Sequence, residues 1–118
     1  MFNWFQKNKR NLISANWDIG DIYGFKKIYN HDSLQYTNAD VSKVIYFSVL
    51  KISGNNLFGT EAYAGDPTII EDANGWLLKG SKMAKNQILV CVISVKKRDD
   101  VEWAKAFFDL IKFRENSN

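Results

Sequence analysis

The sequence holds one histidine, His31, and one cysteine, Cys91. As residue types they suggest a thiolate–imidazole pair, the arrangement that activates a sulfur nucleophile. Cys91, however, lies within Leu89-Val90-Cys91-Val92-Ile93-Ser94, an apolar run that reads as a buried strand. A thiol in such a place behaves as a small hydrophobe, since a reactive thiolate needs an accessible, electropositive setting. His31 falls in the polar turn Asn30-His31-Asp32-Ser33, where the adjacent Asp32 is poorly placed to face the ring and orient it. Asp18 and Asp21, on either side of Gly20, form the other pair to weigh. With His31 as a base they define an enzymatic alternative, a small hydrolase or lyase; as turn and capping carboxylates they need no catalytic role. His31 with Asp32 or Asp40 makes a few hard ligands at no diagnostic metal spacing. The sequence contains no Walker loop, dinucleotide fingerprint, nucleophile elbow or HExxH pair. The expectation is a chain that is not an enzyme and uses no cofactor or metal.

Binding chemistry is better supplied. Trp4 and Trp17 flank the basic stretch containing Lys7 and Arg10, and tryptophan and arginine are the residues most enriched at interface hot spots. Asp66, Glu71 and Asp72 surround Pro67 as an acidic loop that can face a basic partner. Trp76, at the start of a strand, and Trp103, on a helix stripe, read as core. Lys96-Lys97-Arg98 reads as a solvated loop, because Asp99 and Asp100 already occupy the following helix start.

The elements that must position these residues belong to one domain, 1–118, with a short basic-aromatic segment at 1–12. At 118 residues, with 46% hydrophobic and 25% charged residues, the chain can bury a core without staples, and one cysteine excludes a disulfide framework. Lys7, Lys9 and Arg10 account for the whole net charge of +3, so the chain beyond them is neutral and offers no phosphate-tracking face. Nucleic acid is therefore not an expected partner. No stretch approaches the ~20 apolar residues of a membrane span. The opening Met-Phe-Asn-Trp-Phe-Gln-Lys places aromatics before charges, unlike a secretory signal, so the expected location is cytoplasmic. Phe2, Trp4 and Phe5 beside three cations fit a short interfacial helix, but a frayed or core-docking first turn is the simpler reading.

Strands are expected at 34–37 and 43–52, joined by an Asn38-Ala39-Asp40 turn, and at 75–83 and 87–95, joined by a three-residue Ala84-Lys85-Asn86 loop. Residues 22–29 fit neither period cleanly and are read as a strand. In the 54–75 connection, Asp66-Pro67 is expected to start a short helix that Asn74-Gly75 ends. A helix is expected from Asp100 to Phe113, capped by Asp99 with Glu102 completing a capping box, and with Lys112 and Arg114 at its negative pole. The resulting class is α+β, a mainly antiparallel β-sheet with a C-terminal helix packed on one face. The strands at 43–52 and 88–95 are apolar on both faces, whereas one firm amphipathic helix covers one. The second face must be covered by residues 1–30, by the 54–74 connection or by another chain.

A late hairpin with Gly75-Trp76-Leu77-Leu78, the strand Ile88-Leu89-Val90-Cys91-Val92-Ile93 and the closing run from Asp99 to Phe108 resemble the Mog1/PsbP-like group over about residues 34–113. The N-terminal part departs from that pattern in lacking a Tyr-Pro strand opening. The resemblance implies an α/β/α sandwich and proteins that bind other proteins, including adaptors and secretion-effector chaperones, and it transfers no binding residue. Size and composition also compare with immunity proteins of bacterial toxin systems. The expected function is a small non-catalytic protein-binding module, of adaptor/chaperone or toxin-immunity type, engaging a protein partner or a second copy as a homodimer.

Overall fold

A computed structural model describes the backbone of residues 12–13, 16–20, 22–29, 33–51, 66–85 and 87–114. The elements are β1 (Leu12–Ile13), β2 (Trp17–Asp18), β3 (Phe25–Tyr29), β4 (Leu34–Asn38), β5 (Lys43–Lys51), β6 (Thr68–Asp72), β7 (Gly75–Ala84), β8 (Gln87–Val95), α1 (Asp100–Leu110) and β9 (Lys112–Phe113). Six strands form one antiparallel sheet in the order β3-β4-β5-β8-β7-β6, and β1-β2-β9 form a small second sheet. The fold is α+β, with α1 packed on one face of the larger sheet.

β5 and β8 occupy the centre because they are β-branched or aromatic along most of their length and lose least by burial on two sides. Their register pairs Ile45 with Ile93, Phe47 with Cys91 and Val49 with Leu89, which puts these side chains on the α1 face. Leu34, Tyr36 and Leu78 extend that face, and Ala104, Phe107, Phe108 and Ile111 close over it. An aromatic series runs across the layer: Phe25 stacks on Trp103 at 6.0 Å, Trp103 meets Phe107 at 5.5 Å, and Phe107 meets Phe47 at 6.3 Å. Phe108 needs a gap in the sheet, and Gly80, opposite Cys91, supplies it.

Turn chemistry fixes the hairpins. Asn38 Oδ1 accepts from the Lys43 N–H at 2.9 Å, and Asp40 Oδ1 accepts from the Ser42 N–H and hydroxyl at 3.1 and 2.7 Å. These bonds hold the Asp40 carboxyl below the usual carboxylate range. The β7–β8 loop has two residues, since Ala84 already pairs with Gln87, and Lys85 takes φ 56° to close it.

The expectations for the helix ends need correction. Asp99 is itself helical, at φ −62° and ψ −21°, and makes no side-chain cap bond. The carbonyls of Lys97 and Arg98 take the N–H groups of Asp100 and Val101, at 3.0 Å each, so a backbone turn ahead of the helix engages two of its first-turn donors. At the other end α1 stops at Leu110. Ile111 is extended, and Lys112–Phe113 pair with Trp17–Asp18, a contact from the far end of the chain. The cation at the helix C-terminus is Lys82 of β7, whose Nζ donates to the carbonyls of Asp109 at 3.3 Å and Ile111 at 2.8 Å. Lys112 and Arg114 are not in the last turn.

The short helix expected after Asp66-Pro67 is strand β6. Thr68-Ile69-Ile70 is β-branched throughout, and Gly75 at φ 137° closes a tight hairpin at Ala73-Asn74.

A Cβ at Gly80 would lie 2.6 Å from Phe108 Cζ. Gly80→Ala must displace a buried ring, and urea unfolding should show a loss of about 1–3 kcal/mol. An unchanged stability would contradict this account of how α1 seats.

Candidate functional site

Side chains alternate along a strand, so the register that buries Ile45, Phe47 and Ile93 turns their neighbours to the opposite face. One cross-strand row there reads Lys26, Thr37, Val44, Ser94, Leu77 and Ile70; the next reads Ile28, Gln35, Tyr46, Val92, Lys79 and Thr68. Two shorter rows follow, Ser48-Val90-Ser81 and Leu50-Ile88-Met83. No described helix or strand lies across these rows. Tyr46 is 40% exposed and Leu50 47%, whereas Ile45 and Phe47 on the opposite face are at most 1%. Ile88 alone among the described residues of this face is deeply buried, between Leu50 and Met83. At ~4.8 Å between strands and ~3.3 Å per residue, the face measures roughly 24 by 20 Å. A shallow depression of about 440 Å³, bordered by Gly24, Ile28, Thr37 and Val41, continues it beyond the β3–β4 end.

Its charge is sparse. Among the described residues, Lys26 and Lys79 are the cations on this face, and Asp72 stands at one corner.

The candidate site residues divide four ways. Trp4, Lys7, Arg10, Asp21 and His31 lie outside the described residues. Trp17 is not a surface contact: its indole is 1% exposed, Nε1 donates to Gln87 Oε1 at 2.9 Å, and Phe113 packs edge-on at 5.1 Å. Burying tryptophan requires a partner for its N–H, and Gln87, itself held by Asn16 at 3.1 Å, is that partner. Asp66, Glu71 and Asp72 are exposed, in or beside the edge strand β6. The carboxylate of Asp18, the enzymatic candidate, is engaged at both oxygens, by the Gly20 N–H at 3.0 Å and by Arg114 Nε at 2.9 Å. Trp76 and Trp103 are partly buried against the core, with Lys43 Nζ 4.7 Å from the Trp103 ring centroid.

Strand β6 escaped the sequence reading although Ile69 and Ile70 carry its signal, a β-branched pair ahead of Asn74-Gly75. No protein-family model matches the chain, and no curated protein matches it significantly.

Cys91 is fully buried opposite Gly80 and Phe47, and burial pushes its thiol from the ordinary 9.0 up to about 12, with Lys82 opposing. Below pH 9 both folded and unfolded chains keep the proton; from there to about pH 12 only the unfolded chain loses it. Stability should therefore fall through that window by about 1.4 kcal/mol per pH unit from this group. Denaturation of Cys91→Ala across the same range should show a slope shallower than the parent's by that amount; equal slopes would refute the assignment.

Proposed function

We propose that this chain is a non-catalytic protein-binding module, of adaptor or inhibitor type, whose contact surface is the face of the six-stranded sheet turned away from α1. One observation supports the reading above all: β5 and β8 present Val44, Tyr46, Leu50, Val90 and Val92 on a face that no described element crosses. Tyr46 and Leu50 are exposed and the three valines half-buried, and apolar side chains clustered on a sheet face mark an interaction site, since exposing them to water is unfavourable at about 25 cal/mol per Å².

The partner is a different protein with an apolar centre and an acidic rim. Lys26 and Lys79 ask for carboxylates opposite them, whereas a second copy would present the same lysines. The resemblance to Mog1/PsbP-like proteins and the comparison with immunity proteins point to the same class of work, as does the occupation of Asp18 by structural bonds.

A photo-crosslinking phenylalanine analogue placed at Tyr46, on the open face, should trap one defined protein in cells of the source. The same analogue at Asp109, on the exposed side of α1, should trap none. Val92→Lys should abolish the adduct while leaving the fold intact, because Val92 is not on the α1 face. No adduct, or equal adducts from both positions, would overturn the reading, and an adduct of twice the chain's own mass would assign the face to a second copy.

A further inference from the structure

We infer that the free edge of β6, with the groove between it and α1, is a second binding site that takes an extended basic segment by strand addition. This site is separate from the open face. No described strand pairs with the outer side of β6, whose five residues are all exposed. In its hairpin with β7, Asp72 lies opposite Gly75 across a two-residue loop, so Asp72, Ile70 and Thr68 exchange hydrogen bonds with β7. The N–H and C=O groups of Ile69 and Glu71 therefore point outward, in the spacing that one further strand requires.

The other edge of the sheet is guarded. β3 carries Lys26 and Lys27, and charged lysines on an edge strand discourage further pairing. β6 has no lysine, and Pro67 precedes it without blocking Ile69 or Glu71. Beside β6 the sheet falls away into an open groove of about 510 Å³ towards α1, with Ile69, Trp76 and Val101 among its apolar lining and Arg98, Glu102 and Lys105 among its polar lining. An added strand would direct every second side chain into this groove and the others towards the open face, the geometry by which sheet-edge recognition gains both affinity and selectivity.

Charge selects the occupant. Residues 66–74 contain Asp66, Glu71 and Asp72 and no cation. Among the described residues none forms an ion pair with these three, and the Asp72 carboxylate accepts only a local bond from the Asn74 N–H at 2.8 Å. A second copy adding through its own β6 would bring carboxylates against carboxylates, which costs rather than gains. Every described pairing in the sheet is antiparallel. In that sense the incoming segment places two basic residues opposite Asp72 and Glu71, then two apolar residues opposite Ile70 and Ile69, so it reads basic-basic-apolar-apolar from its N-terminus.

The probe is a fluorescein-labelled peptide containing Arg-Arg-Val-Leu-Thr, titrated against the full chain by fluorescence anisotropy, with amide shifts followed by NMR. Saturable binding is expected, with the largest shifts at the Ile69 and Glu71 amides and the Trp76 indole. Ile69→Pro removes an outward N–H without removing a bond to β7 and should weaken binding at least tenfold. Glu71→Lys with Asp72→Lys should weaken it similarly and admit the Glu-Glu-Val-Leu-Thr peptide instead, a readout that stands even if Ile69→Pro fails to fold. Val92→Lys, on the open face, should leave binding unchanged, which separates failure here from failure of the proposed function. No saturable binding at millimolar peptide, equal binding of the acidic peptide to the parent, shifts confined to the open face, or self-association through β6 would each overturn the inference.

Discussion

The pairing of β5 with β8 is the constraint from which the rest of the structure follows. Its register sets Ile45 against Ile93 and Phe47 against Cys91, and thereby decides which residues face α1 and which face away. A slip of one residue would exchange the two sets, yet both sets are apolar, so alternation alone does not choose between them. The choice is made by volume. Gly80 lies beside Cys91 and leaves room for Phe108, while Ala104 lets the helix approach closely. On the opposite face Tyr46, Leu50 and Met83 stand exposed.

Polar groups then lock what the apolar layer positions. Lys82 ties β7 to the last carbonyls of α1, and Lys43 lies over Trp103 while standing 4.0 Å from Asp100. The buried Trp17–Gln87 bond fastens the small sheet to the start of β8, and the Asp18–Arg114 ion pair closes the pairing of β2 with β9 within that sheet. These bonds all serve the α1 side. Among the described residues, coverage is therefore asymmetric: one face lies under a helix with its polar groups satisfied, whereas no described element crosses the other, whose Val44, Val90 and Val92 are half-buried and which ends at the acidic strand β6.

Much of this was legible in the sequence where a single local pattern dominated. β5, β8 and most of α1 follow from runs of β-branched residues or from a helical apolar stripe, β7 follows from the turn that joins it to β8, and the double-sided apolar character of β5 and β8 already raised the question of coverage. What was illegible depended on distant partners. Nothing around Asn16-Trp17-Asp18 reveals that Gln87 will receive the indole N–H or that Phe113 will pack on it. For the same reason the end of α1 was misplaced, since Lys112–Phe113 leave the helix to pair with β2. At β6 two local signals competed: Asp66-Pro67 suits a helix start, whereas Thr68-Ile69-Ile70 suits a strand, and the hairpin with β7 decided it. The acidic residues are expected from the sequence to face a partner, but their place in or beside an edge strand is visible only with the topology.

The proposed function requires the face opposite α1 to be open to solvent in the isolated chain. Methyl NMR with a soluble paramagnetic agent measures this directly, residue by residue. Strong relaxation is expected at the methyl groups of Val44, Leu77, Val90 and Val92, with little at Ile45, Leu78, Leu89 and Ile93 on the α1 face. Equal protection of the two sets would mean that the chain seals both faces itself, and would contradict the account.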